Sequence, residues 1–427
     1  MIAYSRFQLA NGLRVIVHED NSTPMVSLNV LYDVGSRDES PEQTGFAHLF
    51  EHLMFAGSAN VPDIDDCIQL AGGENNAYTT NDNTNFYSTV PAANLELIFW
   101  LESDRMMSLN INEHSLDVQR KVVVEEFKET CLNQPYGDAW HHLADLAYKV
   151  HPYRWPTIGL VPKHIEDAKL EDVRNFYIRF YQPDNAILSV AGNVTVAEIK
   201  RLAEKWFADV PTLKLPKRDL PQEPAQLQLN KLVNNNNNIP ADALFMAFHV
   251  PARDEPDYYV TDLISDLLAN GGSSRLFRRL QKEQKLFNQI DAYVTGSVEP
   301  GLLVVEGRPM EGVSLEDAEA AIWKELEELK NEIIPTIELR KIQNKAESTL
   351  IFSETGALNK ALNLAYFESL GKPELINQEV DLYNRITVED IQRMAKSVFV
   401  EENCSVVHYE SKGSTTPDTS VASSHSI

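Results

Sequence analysis

The chain has no apolar run near the roughly 18 consecutive residues that a membrane-spanning helix requires. Its start, MIAYSRFQLANGLRV, also lacks the basic-then-apolar pattern of a secretory signal. Both absences lead to the expectation of a cytoplasmic protein with no membrane partner. Cysteine is scarce: Cys67, Cys131 and Cys404 are an odd set in no metal-type spacing, which excludes a disulfide framework and a thiolate zinc cluster. Positive charge is the third shortage. The 38 basic residues face 63 acidic ones, for a formal net charge of -25. Because phosphate binding draws on clustered Lys and Arg, nucleic acid is disfavoured as a partner, whereas cationic peptides are tolerated or attracted.

What is present is an ordinary globular composition. Of 427 residues, 43% are apolar and 24% charged, which argues for a packed core and for two or three domains. The proline-rich stretch DVPTLKLPKRDLPQEPAQ near the midpoint denies both helix and central strand, so 209–227 reads as a linker between domains at 1–208 and 228–410. The run Asn234 to Asn238 reads as a solvated loop, and 411–427 as a disordered tail. The halves echo each other. Val34 to Glu39 and Val250 to Glu255 match in pattern at an offset of 216, each passing from a strand into a helix, which points to a duplicated domain. Alternating stretches such as LRVIVHED and NNAYTTNDNTNFYSTV read as strands, and NLELIFWLESDRMMSL has helical periodicity. The mixture lacks regular strand-helix-strand alternation, so the expected fold class is α+β, with helices packed on mostly antiparallel sheets.

One short segment concentrates chemistry. GFAHLFEHLMFAG, from Gly45 to Gly57, sets His48, Glu51 and His52 among Phe46, Leu49, Phe50, Leu53 and Met54. On a helix, residues three and four apart share a face, so the two imidazoles and the carboxylate project together. Ser40-Pro41-Glu42-Gln43 resembles a helix start, with a cap, a first-turn proline and a capping-box partner. Two His at i and i+4 offer zinc a pair of nitrogen ligands, and the neighbouring Glu51 suits the role of proton acceptor. With the helix ends of the two halves aligned, these three positions fall on Asp262, Ser265 and Asp266, so the second half keeps the scaffold without the cluster. A third ligand is required for a catalytic zinc. The acid-rich segment from Ser115 to Gly137 offers Glu125, Glu126 and Glu129, among which spacing alone does not choose.

His48-Leu49-Phe50-Glu51-His52 is the inverted zinc motif H-x-x-E-H, and the sequence here resembles the inverzincin peptidases, the pitrilysin and mitochondrial processing peptidase family. The resemblance continues through GGENNAYTTNDNTNFYSTVP, VVVEEFKETCLNQPYG and HPYRWPTIG and covers nearly the whole chain. It implies a half-length member with two similar α+β domains, forming half of a clamshell. It also implies one zinc per chain, held by His48, His52 and Glu126, with Glu51 as the catalytic base. Glu126 lies 74 residues after His52, in the second position of the VVxEE pattern. Asn76, Ala77 and Tyr78 would receive an extended peptide by strand addition. Gln119 stands where relatives often carry a Glu that supports the metal from behind. One departure is consequential. The segment LQKEQKLFNQ has Gln281 and Asn288 where active relatives carry an Arg and a Tyr that hold the substrate backbone. The resemblance then implies a hetero-oligomer with a related subunit supplying the Arg/Tyr pair, or else a homodimer. The function implied is a zinc endopeptidase acting on peptides or unfolded segments in a dimeric chamber. A non-catalytic scaffold or a peptide-binding subunit is the alternative.

Overall fold

The computed structural model describes residues 1–214, 218–236 and 239–411. Eleven strands among these residues form two sheets. The first contains β1 (Ser5–Gln8), β2 (Arg14–Glu19), β3 (Met25–Tyr32), β4 (Glu74–Thr79), β5 (Thr84–Pro91) and β6 (Ala186–Gly192), in the order β1-β2-β6-β3-β5-β4. The second contains β7 (Asn230–Asn236), β8 (Ala243–Val250), β9 (Phe287–Val294), β10 (Gly301–Pro309) and β11 (Cys404–Ser411), in the order β7-β11-β8-β10-β9. Apart from the extra edge strand β1, the orders superimpose strand for strand. Each sheet has one parallel pair, β2 with β6 and β7 with β11, and every other pairing is antiparallel. A helix follows the corresponding strand of each order, Phe46–Phe55 after β3 and Pro256–Ala269 after β8. This is the internal repeat seen in the sequence, and the fold is α+β with helices on mostly antiparallel sheets.

Period-two alternation explains how the first sheet is covered. Val15, Val17, Leu28, Val30, Leu188 and Val190 enter the large core beneath the helices, while Ile16, Leu31 and Ile187 point to the opposite face. That second face is apolar too, and Leu364, Ala365 and Phe367 of helix Ala357–Ser369 cover it. Helix Ala139–Ala147 lies in turn on β8 and β11 of the second sheet. The compact units are therefore not the contiguous blocks 1–208 and 228–410. One consists of Met1–Thr130, Val150–Glu223 and Lys345–Asn384; the other takes Cys131–Lys149, Pro224–Asn344 and the described residues from Arg385 on. A sheet buried on both faces needs apolar cover on each, and sequence-distant helices provide it.

Two further expectations change. Asn234 and Asn235 extend β7 rather than forming a loop, pairing in register with Tyr409 and Glu410 of β11, because a parallel edge ladder uses backbone groups and is indifferent to polar side chains. Ser411 closes β11, and the rest of the expected tail lies outside the described residues. The described residues of 209–227 are irregular, yet as far as Glu223 they are strapped to the first unit. Arg218 donates to Asp38 at 2.8 Å and to Asp33 at 3.1 Å, and Glu223 Oε2 accepts from the backbone N–H of Val150 and His151 at 3.0 and 2.8 Å.

His151 at the end of this strap is 4% exposed, and its Nδ1 accepts from Tyr153 N at 3.2 Å. Burial holds its pKa down at about 4, against the opposing pull of Asp82 and Glu223. Since an unfolded histidine titrates near 6.5, between these values the unfolded chain binds the extra proton and stability falls as pH falls. Thermal melts should therefore drop as pH is lowered from about 6.5 to about 4, more steeply for wild type than for His151→Asn, which keeps a capping oxygen and cannot titrate. Equal slopes for the two proteins would refute this assignment.

Candidate active site

The helix carrying the motif starts later than the sequence implies. Ser40 and Gln43 form an isolated bridge, and the helix spans Phe46–Phe55. It is entered through Gly45 at φ 89°, a left-handed conformation where an added Cβ would also press on Ile158 O at 2.9 Å. Glycine cannot cap by side chain, and buried Glu39 does so from outside. Its Oε2 accepts from Gly45 N and its Oε1 from Ala47 N, both at 2.8 Å. Burial pushes the Glu39 carboxyl well above its ordinary range, while these backbone donors pull it back. Sequence reasoning missed this cap because residue 39 lies outside the usual capping register.

Phe46, Leu49, Phe50, Leu53 and Met54 are all buried. The Phe50 ring stacks on Phe176 and Tyr181, with centroids 5.1 and 5.0 Å away. Truncating a buried phenylalanine costs about 3–5 kcal/mol, so this face fixes the rotation of the helix. The opposite face then presents His48, Glu51 and His52 as a set.

Helix Glu113–Phe127, capped by Asn112, brings Glu126 to the imidazoles. His52 Nε2 lies 3.2 Å from His48 Nε2 and 3.3 Å from Glu126 Oε2, and His48 Nε2 lies 3.7 Å from Glu126 Oε1. Ligand atoms about 2.0–2.2 Å from a tetrahedral zinc stand about 3.3–3.6 Å from one another, so the three separations fit a single ion. Among the described residues this is the one group of three or more His, Cys, Asp or Glu gathered in this way. The protonation states agree with such a role. Burial lowers the His48 pKa to about 4, with Glu126 opposing and His52 reinforcing, so the imidazole is neutral at pH 7. The hydrogen bond with His52, partly offset by burial, holds Glu126 below the usual carboxylate range. His48 Nδ1 is buried with no hydrogen-bond partner among the described residues.

Glu51 stands apart from this trio. Burial raises its pKa, opposed by a hydrogen bond from Thr79 Oγ1 to its Oε2 at 2.6 Å. The contact spans 28 residues of sequence, and local periodicity gave no sign of it. Glu125 and Glu129 are exposed, and Glu125 pairs with Lys128 at 2.6 Å. Gln119 is half-buried, and no described hydrogen bond joins it to the cluster. Asn76, Ala77 and Tyr78 lie in β4, the terminal strand of its sheet, with Asn76 and Tyr78 exposed and Ala77 packed on the core. Asn76 Oδ1 accepts from Ala77 N at 2.8 Å. In the second unit, Gln281 Nε2 donates to Asn288 O at 2.7 Å, so these two positions are neighbours there.

Fold and cluster together define a peptidase-type architecture. A solved protease from Helicobacter pylori matches it with a TM-score of 0.91 at 27% identity, over 96% of this chain and 100% of that one. Residues 14–159 match the family model described as "Insulinase (Peptidase family M16)", and residues 167–346 match "Peptidase M16 inactive domain". The zinc protease PqqE of Helicobacter pylori is 31% identical over 410 residues, spanning 93% of this chain and 91% of that protein. The mitochondrial-processing peptidase subunit beta of Saccharomyces cerevisiae is 24% identical over 411 residues, spanning 90% and 86%. The chain belongs to peptidase family M16. The "inactive" model falls across the boundary between the repeats and over most of the second, which has Asp262, Ser265 and Asp266 in place of the motif. Among the described residues no helix is long and apolar enough to cross a membrane.

Proposed function

We propose that this chain is the metal-bearing subunit of a zinc-dependent endopeptidase, acting on peptides or unfolded segments in a chamber completed by a related subunit. The observation carrying this reading is the convergence of His48, His52 and Glu126 at 3.2–3.7 Å beside a separate carboxylate. A zinc ion held by these three groups would supply Lewis acidity for the attack of water on a peptide carbonyl. Glu51 takes the proton of the attacking water and returns it to the departing amine nitrogen, a general base and then a general acid. The outer edge of β4, at Asn76 to Tyr78, receives the substrate as an added strand. A chain with a net charge of -25 favours cationic segments.

Gln281 and Asn288 favour a division of labour, since neither can supply the fixed positive charge of an arginine or a tyrosine hydroxyl to a developing oxyanion. They equally motivate the second reading, a non-catalytic scaffold or peptide-binding subunit. The test is zinc analysis of the purified chain, with cleavage of a cationic peptide library measured alone and after mixing with a related chain that carries the Arg/Tyr pair. One zinc per chain is expected, with cleavage rising about 10²–10³-fold on mixing, the usual effect of supplying an oxyanion donor. Full activity without the second chain would remove the divided site. No zinc and no cleavage in either mixture would leave the scaffold.

A further inference from the structure

We propose that Thr79 is a positioning residue that holds Glu51 in its working orientation and ties that carboxylate to the strand on which a peptide would lie. The inference deepens the peptidase reading and rests on it. Oε2 of Glu51 accepts the Thr79 hydroxyl at 2.6 Å, and among the described residues Oε1 has no hydrogen-bond partner. A general base needs this asymmetry, with one oxygen anchored and the other open to the water it deprotonates. Left to itself, a glutamate carboxylate turns broadly about its last torsion, so an anchor on one oxygen selects among many orientations.

The anchor is stiff at every level. Threonine is branched at Cβ, which restricts its side-chain torsion. Thr79 is the last residue of β4 and pairs with Thr84 of β5, so sheet register sets its position. The turn that follows is braced. Thr80 N donates to Asn83 O at 2.8 Å, and Thr80 Oγ1 accepts from the backbone N–H of Asp82 and Asn83, both at 3.0 Å. β4 is also the edge of its sheet, and Thr79 directly follows the exposed Tyr78. A segment added to that edge and the carboxylate that serves it are therefore referenced to the same six-residue strand. The hydroxyl reports the position of the edge to the base through one hydrogen bond.

The test compares Thr79→Val, Thr79→Ser and Glu51→Gln in the assembly that cleaves peptide. Thr79→Val preserves shape and β-branching while removing the donor. It should lower kcat about 10–100-fold, part of the 10²–10⁴-fold worth of a general base, with KM and zinc content near wild type. Thr79→Ser should restore most of kcat. A crystal structure of Thr79→Val should show the Glu51 carboxylate turned from its wild-type orientation. Unchanged kcat in Thr79→Val, or loss shared equally by the serine variant, would overturn the positioning role. So would a zinc content that falls together with kcat. Glu51→Gln separates the two levels: if it cleaves normally Glu51 is not the base and the catalytic assignment on which this inference rests fails, and if it is inactive while Thr79→Val is normal only the role of Thr79 fails.

Discussion

Glu51→Gln is expected to reduce peptide cleavage by about 10²–10⁴-fold while leaving zinc bound. The two halves of that result come from separate features of the site. Glutamine keeps the size of the side chain and can still accept the Thr79 hydroxyl through its amide oxygen, so the helix and the edge strand should stay as they are. What is lost is a group able to accept a proton from water and release it again. The proposed ligand trio does not include residue 51, whose neighbours are Thr79 and, through charge, His52 and Glu126. Metal content should therefore match wild type, and peptide binding should persist without turnover. Measuring zinc by mass spectrometry and cleavage by a quenched fluorescent peptide decides the matter. Loss of zinc in the variant would make Glu51 a ligand, and undiminished cleavage would remove it from the chemistry.

Glu126→Gln should have the opposite signature, with zinc affinity falling about 100-fold or more and cleavage failing with it. Changing partners that merely orient a ligand typically costs 10–100-fold in metal affinity, and removing a ligand should exceed that. An amide oxygen is a weaker donor than a carboxylate and carries no charge to offset the cation. The present separations, 3.3 Å to His52 and 3.7 Å to His48, are those of a carboxylate facing two imidazole nitrogens. Glu125→Gln is the internal control. Its carboxylate is exposed and paired with Lys128, three residues further along the chain, so zinc affinity should not change. If both variants bound zinc like wild type, the third ligand would have to be sought elsewhere.

Several parts of this protein are legible in the sequence, and the reasons are local. Gly45, the apolar positions 46, 49, 50, 53 and 54, and the i, i+4 histidines write a helix with one buried and one polar face. The repeat was visible because each half passes from a buried strand to a helix with similar residues, and the sheet orders match accordingly. The helix start was misplaced because its cap is Glu39, a group brought in by tertiary packing rather than by the adjacent residues.

Composition and periodicity alone were enough to establish a duplicated α+β chain, acidic overall, with two imidazoles and a carboxylate on one helical face, since each of these depends on neighbours within a turn or two. Packing was needed to bring Glu126, rather than Glu125 or Glu129, within 3.3 Å of His52, to attach Thr79 to Glu51, to make Asn234 part of a strand and to exchange helices Ala139–Ala147 and Ala357–Ser369 between the sequence halves. These contacts join residues 28 to more than 300 positions apart, as Thr79 to Glu51 and Arg14 to Glu368 illustrate, and no local preference encodes which distant surface will cover an apolar face.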